Sequence, residues 1–180
     1  MRDLCTAALA AMMAACGHAA ADEGADFGIA STYELRLDEL SAPTPRELPG
    51  TRTIRTSQLK EWLRHDGTAR PLLFDVLGGT GHDTIPSAVW LPGAGRGYSL
   101  TDPVQAQLAR TLEALTRSDR ARPMVFFCSG VRCWLSYNAA LRAAALGYRS
   151  VYWYRGGIEA WVASDGELAP ARFKWVGPAD

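Results

Sequence analysis

Several things that would direct this 180-residue chain to a particular class of work are missing from it. No excess of one charge sign is present, because Lys plus Arg (19) equals Asp plus Glu (19). Nucleic-acid binding needs a basic face, so that class starts without support. Histidine is scarce: the three residues, His18, His65 and His82, lie far apart and lack metal-ligand spacing. With no Cys-x-x-Cys-His run either, zinc and haem lose their usual holders, and no cofactor is expected. No internal repeat of solenoid period occurs. No apolar run approaches the roughly 20 residues of a membrane-spanning helix. What remains is ordinary for a globular domain, with 48% apolar and 21% charged residues. The length suits one domain with a buried core and an N-terminal extension.

The extension has its own character. Arg2 precedes an Ala-rich apolar run over residues 4–15, and small residues end at Ala19-Ala20-Ala21. A short apolar core with a small-x-small exit is the pattern of a secretory signal peptide, here residues 1–21 with cleavage after Ala21. Two other readings stand beside it: lipoprotein processing, since Met13-Ala14-Ala15 precedes Cys16, and a buried helix of the fold itself. Export makes the location periplasmic, discards Cys5, discards or lipidates Cys16, and leaves Cys128 and Cys133 as the thiols of the mature chain.

Residues 22–50, with Pro43, Pro45 and Pro49, predict an extended lead-in wrapped on a domain of residues 51–180. Within that domain Thr53-Ile54 reads as a strand, and Ser57 as the N-cap of a helix carrying Leu59, Trp62 and Leu63 on one face. The runs Leu72-Leu73-Phe74-Asp75-Val76, Met124-Val125-Phe126-Phe127 and Val151-Tyr152-Trp153-Tyr154 are apolar apart from Asp75, as buried parallel strands are. A shorter strand spans residues 88–91. Asp102 with Pro103 opens a helix to about Arg117, a second runs from Trp134 to Leu146 before Gly147, and a short one passes through Trp161. Alternating strands and helices imply an α/β fold, a central parallel sheet with helices on both faces. Ligand chemistry in such sheets collects beyond the carboxyl ends of the strands, where Cys128 falls.

The segment Cys128-Ser129-Gly130-Val131-Arg132-Cys133-Trp134 is a strand end, a tight loop and a helix start. Unpaired amides at a helix start favour an anion, Gly130 lets the backbone curl round the sulfur, and Arg132 adds a cation. Each effect lowers a thiol pKa from about 8.5. The plainer reading is a static loop-closing disulfide worth about 2 kcal/mol; a third is a redox sensor that toggles between dithiol and disulfide. Cys133 is either a resolving thiol or a small buried residue. Asp75 orients the loop or Arg132, or bonds local backbone. Arg155 serves substrate or structure, and Arg96 is a solvated charge or an anion ligand. Trp134 is read as shielding the sulfur or presenting a docking face.

Residues 74–161 resemble a rhodanese domain. The likeness rests on Leu73-Phe74-Asp75-Val76, on Ile85-Pro86-Ser87-Ala88, on the Cys128–Arg132 loop, and on Arg155-Gly156-Gly157-Ile158-Glu159-Ala160-Trp161. The resemblance implies that Cys128 carries sulfane sulfur as a persulfide, with a small-molecule or protein-thiol donor and acceptor. In the usual loop Gly and Arg follow the cysteine by three and five residues; here they follow by two and four. Thr84 stands where a histidine commonly precedes Ile-Pro, with His82 two residues earlier. A narrower likeness, in residues 86–93, Cys133-Trp134 and Asn138-Ala139-Ala140, is to exported PQQ-dependent catabolism-associated CXXCW motif proteins. It implies association with a periplasmic quinoprotein dehydrogenase system, and beside the sulfur-transfer reading stands that of a non-catalytic interaction or maturation partner of such a dehydrogenase.

Overall fold

The computed structural model describes residues 22–177. The leader expected over residues 1–21, with Cys5 and Cys16, lies outside the described residues. Residues 22–50 contain neither helix nor strand and run over the surface of the domain built by the later residues. The elements of that domain are β1 (Arg52–Ile54), α1 (Thr56–Trp62), a 3-10 turn (Gly67–Ala69), β2 (Leu72–Asp75), β3 (Asp83–Thr84), β4 (Val89–Trp90), α2 (Pro103–Thr116), β5 (Met124–Phe127), α3 (Trp134–Ala145), β6 (Val151–Tyr154), α4 (Gly157–Ala163), β7 (Ala169–Pro170) and β8 (Arg172–Phe173).

Six strands form one sheet in the order β1-β6-β5-β2-β4-β8, with every pairing parallel. β5 lies between β6 and β2, so its backbone is paired on both sides and all four of its side chains are buried. The period-2 alternation of a strand divides those side chains between two cores. Met124, Phe126 and Cys128 join Phe74, Val151 and Trp153 against α2 and α3, through Leu108, Leu112, Leu135 and Tyr137. Val125 and Phe127 join Leu73, Ile54 and Tyr154 against Leu59 of α1 and Trp161 of α4. Helices therefore cover both faces, and burying each large apolar side chain contributes roughly 1.5–3 kcal/mol.

Helix starts follow side-chain chemistry. The Asp102 carboxylate accepts from the Gln105 amide, with Pro103 at the first helical position, so α2 begins where its sequence predicts. α1 begins two residues earlier than expected. Its N-cap is Arg55, whose amide donates to Gln58 Oε1, while the Glu23 carboxylate accepts from the Thr56 amide and hydroxyl. Ser57 is therefore inside the helix, because a residue from the lead-in supplies the acceptor that a local serine would have provided. The antiparallel pair of β3 with β7, and β8 on the sheet edge, were not expected from the sequence.

Candidate active site

β5 delivers Cys128 to the centre of the sheet's carboxyl end, with 1% of its surface exposed. A turn closed by the Cys133 amide donating to the Gly130 carbonyl (3.1 Å) brings the chain round to α3. Cys128 and Cys133 are joined by a disulfide, with Cα atoms 6.4 Å apart, and Cys133 is 5% exposed. Cys128 Sγ lies 3.7 Å from the Cys133 carbonyl oxygen.

The ring of amides expected around the sulfur is not closed in this state. Among the described residues no backbone N–H donates to either sulfur. The Trp134 amide, first in α3, donates instead to the carbonyl of Leu40 in the lead-in (2.9 Å). A disulfide sulfur is neutral and attracts N–H groups weakly, so an arrangement suited to a thiolate has no reason to form here. The amides of Ser129, Gly130, Val131 and Arg132 meet no protein acceptor among the described residues. They are the donors left for an anion.

Gly130 serves the loop differently from the sequence expectation. It is not among the left-handed glycines, and a Cβ there would meet only the carboxylate of Glu159, the movable tip of an exposed side chain, so neither backbone angle nor space demands glycine at this position. The glycine that the loop geometry demands is Gly157, at φ +57°. Its absent Cβ would stand 2.3 Å from the Cys128 carbonyl oxygen and 2.8 Å from the Gly130 nitrogen. That close approach lets the first amides of α4 reach the loop: Ile158 N–H donates to Cys128 O (2.9 Å) and Glu159 N–H to Ser129 O (2.8 Å). The Gly156-Gly157 pair was legible as a strand terminator, but nothing in its sequence marks the contact with residue 128.

The other residues singled out from the sequence divide between loop and scaffold. Arg132 is exposed, its guanidinium 5.5 Å from the Phe27 ring centre. Val131 is buried and Ser129 half-buried. Trp134 is 3% exposed, packs edge-on against Tyr137, and donates its indole N–H to the Pro43 carbonyl. Asp75 is fully buried, and its carboxylate bonds the Leu77 amide, His82 Nε2 (2.6 Å) and the Thr84 hydroxyl, with none of these bonds going to Arg132. His82 thus occupies the place beside Asp75 despite its displacement in sequence.

Arg155, only 2% exposed, spends four hydrogen bonds on the lead-in. Nε donates to Thr44 Oγ1, Nη1 to the carbonyls of Glu23 and Ala25, and Nη2 to the carbonyl of Thr44. Its pKa is lowered, by burial first and then by the nearby charge of Arg46. Thr44 is the residue that sequence reading missed. Fully buried, it donates its hydroxyl (2.7 Å) and amide (3.1 Å) to the Val131 carbonyl inside the cysteine loop. No group of three or more His, Cys, Asp or Glu side chains among the described residues converges as a metal site. No helix there is long and apolar enough to cross a membrane.

A likeness in the arrangement of sheet and helices is found in a solved structure. A thiosulfate sulfurtransferase from Pseudomonas aeruginosa superposes with a TM-score of 0.51 at 15% identity, over 72% of this chain and 22% of that one. This chain thus spans about a fifth of that protein's length, and the likeness is one of fold. The BH2092 protein from Bacillus halodurans gives a TM-score of 0.47 at 22% identity, over 66% and 77% of the two chains. The human single-domain sulfurtransferase TSTD1 gives 0.42 at 24%, over 63% and 96%. No curated protein matches the chain. The rhodanese-like domain family matches residues 56–164, more than half of the sequence, and the chain belongs to that family.

Proposed function

We propose that this protein is a sulfurtransferase-type thiol protein whose working centre is the Cys128–Cys133 dithiol/disulfide couple. The observation that carries the reading is the bond itself. The residue at the carboxyl end of the central strand, where the family's sulfur carrier falls, is joined to a second cysteine at the next helix start. In the reduced state the Cys128 thiolate attacks the outer sulfur of a sulfane donor such as thiosulfate. The donor S–S bond breaks, sulfite leaves, and a persulfide remains on Cys128. The Cys133 thiolate then attacks Cys128 Sγ, sulfide leaves, and the disulfide forms. Two electrons pass from the cysteine pair to the sulfane sulfur, and an external thiol restores the dithiol. Stabilising the thiolate and persulfide then falls to Arg132 and the unpaired amides of residues 129–132, which must turn toward Cys128 once the bond opens.

Mass spectrometry of the reduced Cys133→Ser variant after thiosulfate or polysulfide treatment tests this. One added sulfur on Cys128 is expected, with sulfide release confined to the protein that retains Cys133. Free thiols that acquire no sulfur defeat the proposal.

Two finer statements belong to the same reading. Export to the periplasm is supported by the apolar run over residues 4–15 and the small residues 19–21, and N-terminal sequencing of the mature protein should start at Asp22; a lipidated Cys16 marks the lipoprotein route instead. Association with a quinoprotein dehydrogenase system is supported by the likeness in residues 86–93 and at Cys133-Trp134. Burial of both sulfurs favours a second reading, a non-catalytic partner of that dehydrogenase with a structural bond. On that reading Cys128→Ser leaves partner binding and dehydrogenase activity intact.

A further inference from the structure

Residues 22–50 hold the cysteine loop through groups that belong to the loop itself. Thr44 gives its amide and hydroxyl to the Val131 carbonyl, the Leu40 carbonyl takes the Trp134 amide, and the Pro43 carbonyl takes the Trp134 indole N–H. The Thr44 hydroxyl also accepts from Arg155, whose remaining bonds hold the carbonyls of Glu23, Ala25 and Thr44 itself. Leu40 and Ala42 pack on the apolar cluster containing both cysteines, and Leu48 is part of it. The Val131 carbonyl lies between the two bonded cysteines and Trp134 directly follows them, so the disulfide constrains the stretch of chain that presents these groups. Cys128 is 1% and Cys133 5% exposed, and the segment contributes Leu40, Ala42 and Leu48 to the apolar surroundings of the pair, so a reductant has little direct access to either sulfur.

We infer that residues 22–50 form a redox-coupled strap: it docks tightly on the disulfide form, shields the bond, and loosens when the bond is reduced. Coupling of this kind is reciprocal. Whatever docking strength the strap gains from the disulfide, the disulfide gains from the docked strap, so weakening the strap makes the bond easier to reduce. The balance is a two-electron, two-proton reduction of Cys128–Cys133 by an external dithiol, which leaves as its own cyclic disulfide. This goes beyond the sulfur-transfer reading and does not rest on it, since it requires only that the bond opens and closes.

The test uses the full chain as purified, oxidised or reduced with dithiothreitol, and involves no sulfur donor. Limited trypsin digestion reads strap release directly, because Arg36 and Arg46 lie within the strap. Cleavage there should be at least tenfold faster in the reduced protein, and the Cys128→Ser/Cys133→Ser variant should match the reduced rate. Thr44→Val keeps the side-chain shape while removing the hydroxyl between Arg155 and Val131. It should move the equilibrium against a dithiothreitol buffer toward the dithiol by about tenfold, or about 30 mV for this two-electron couple. Equal cleavage of oxidised and reduced protein overturns the inference. So does a folded Thr44→Val protein with an unchanged equilibrium.

Discussion

Alanine at position 157 tests how closely α4 must approach the cysteine loop. Three atoms within 2.8 Å of the added Cβ are all backbone: Cys128 O at 2.3 Å, Ser129 C at 2.7 Å and Gly130 N at 2.8 Å. None is the tip of a flexible side chain that swings aside. The left-handed backbone at φ +57° costs a non-glycine residue about 1–2 kcal/mol. Relieving the contact requires a backbone shift, typically about 1–3 kcal/mol. Moving α4 away also weakens the bonds from Ile158 and Glu159 to the loop, each worth about 1 kcal/mol. The expected loss for Gly157→Ala is therefore about 3–5 kcal/mol. Gly147→Ala is the matched control, left-handed at φ +85° with nothing within 4 Å, and it should lose only the backbone component of about 1–2 kcal/mol. Urea unfolding of both oxidised variants followed by circular dichroism, with slopes compared to confirm one transition, gives the two numbers. Variants that agree to within about 0.5 kcal/mol would refute the claim that close packing at residue 157 shapes the loop.

Two further predictions concern pH. Burial pushes the Asp102 carboxyl up, but the Arg142 guanidinium and the amides of Gln105, Ser99 and Tyr98 outweigh it and hold the group well below the usual carboxylate range. A folded-state pKa below the unfolded value of about 3.9 means that the stabilisation is complete above that pH and is lost as acid carries the solution down toward the folded pKa. Asp102→Asn should flatten the acid limb and cost about 3–5 kcal/mol at neutral pH by leaving buried Arg142 without its counter-charge, checked by unfolding across pH. Burial raises the Tyr154 phenol, opposed by its bond with Thr56 and aided by the charge of Glu23. Its contribution is intact below the unfolded value of about 10 and declines as pH rises through the folded pKa, so Tyr154→Phe should unfold less steeply in alkali than the parent.

The core strands were legible because their chemistry is local. β5 and β6 are four-residue apolar runs and β2 is one closed by Asp75, with Pro71, Pro123 and glycines nearby as boundaries, and Asp102-Pro103 is a helix start written in adjacent letters. β3, β7 and β8 are two residues each, too short to carry a period, and they exist only because distant partners meet. Cys128 at a strand end was legible for the same local reason. Thr44 and the anchoring of Arg155 were not, since their partners are mostly backbone carbonyls 87–132 residues away and carbonyls have no signature in a sequence. Asp75 could be placed at a strand end, but its choice of His82 depends on how residues 77–83 fold back.

The midpoint potential of the Cys128–Cys133 couple, measured in defined thiol/disulfide buffers on the purified protein, bears most directly on whether this pair does chemistry. A working couple belongs between about −120 and −270 mV, in the range of exchange-active proteins. A value well below about −300 mV marks a bond kept only for structure and contradicts the proposed sulfur-transfer role.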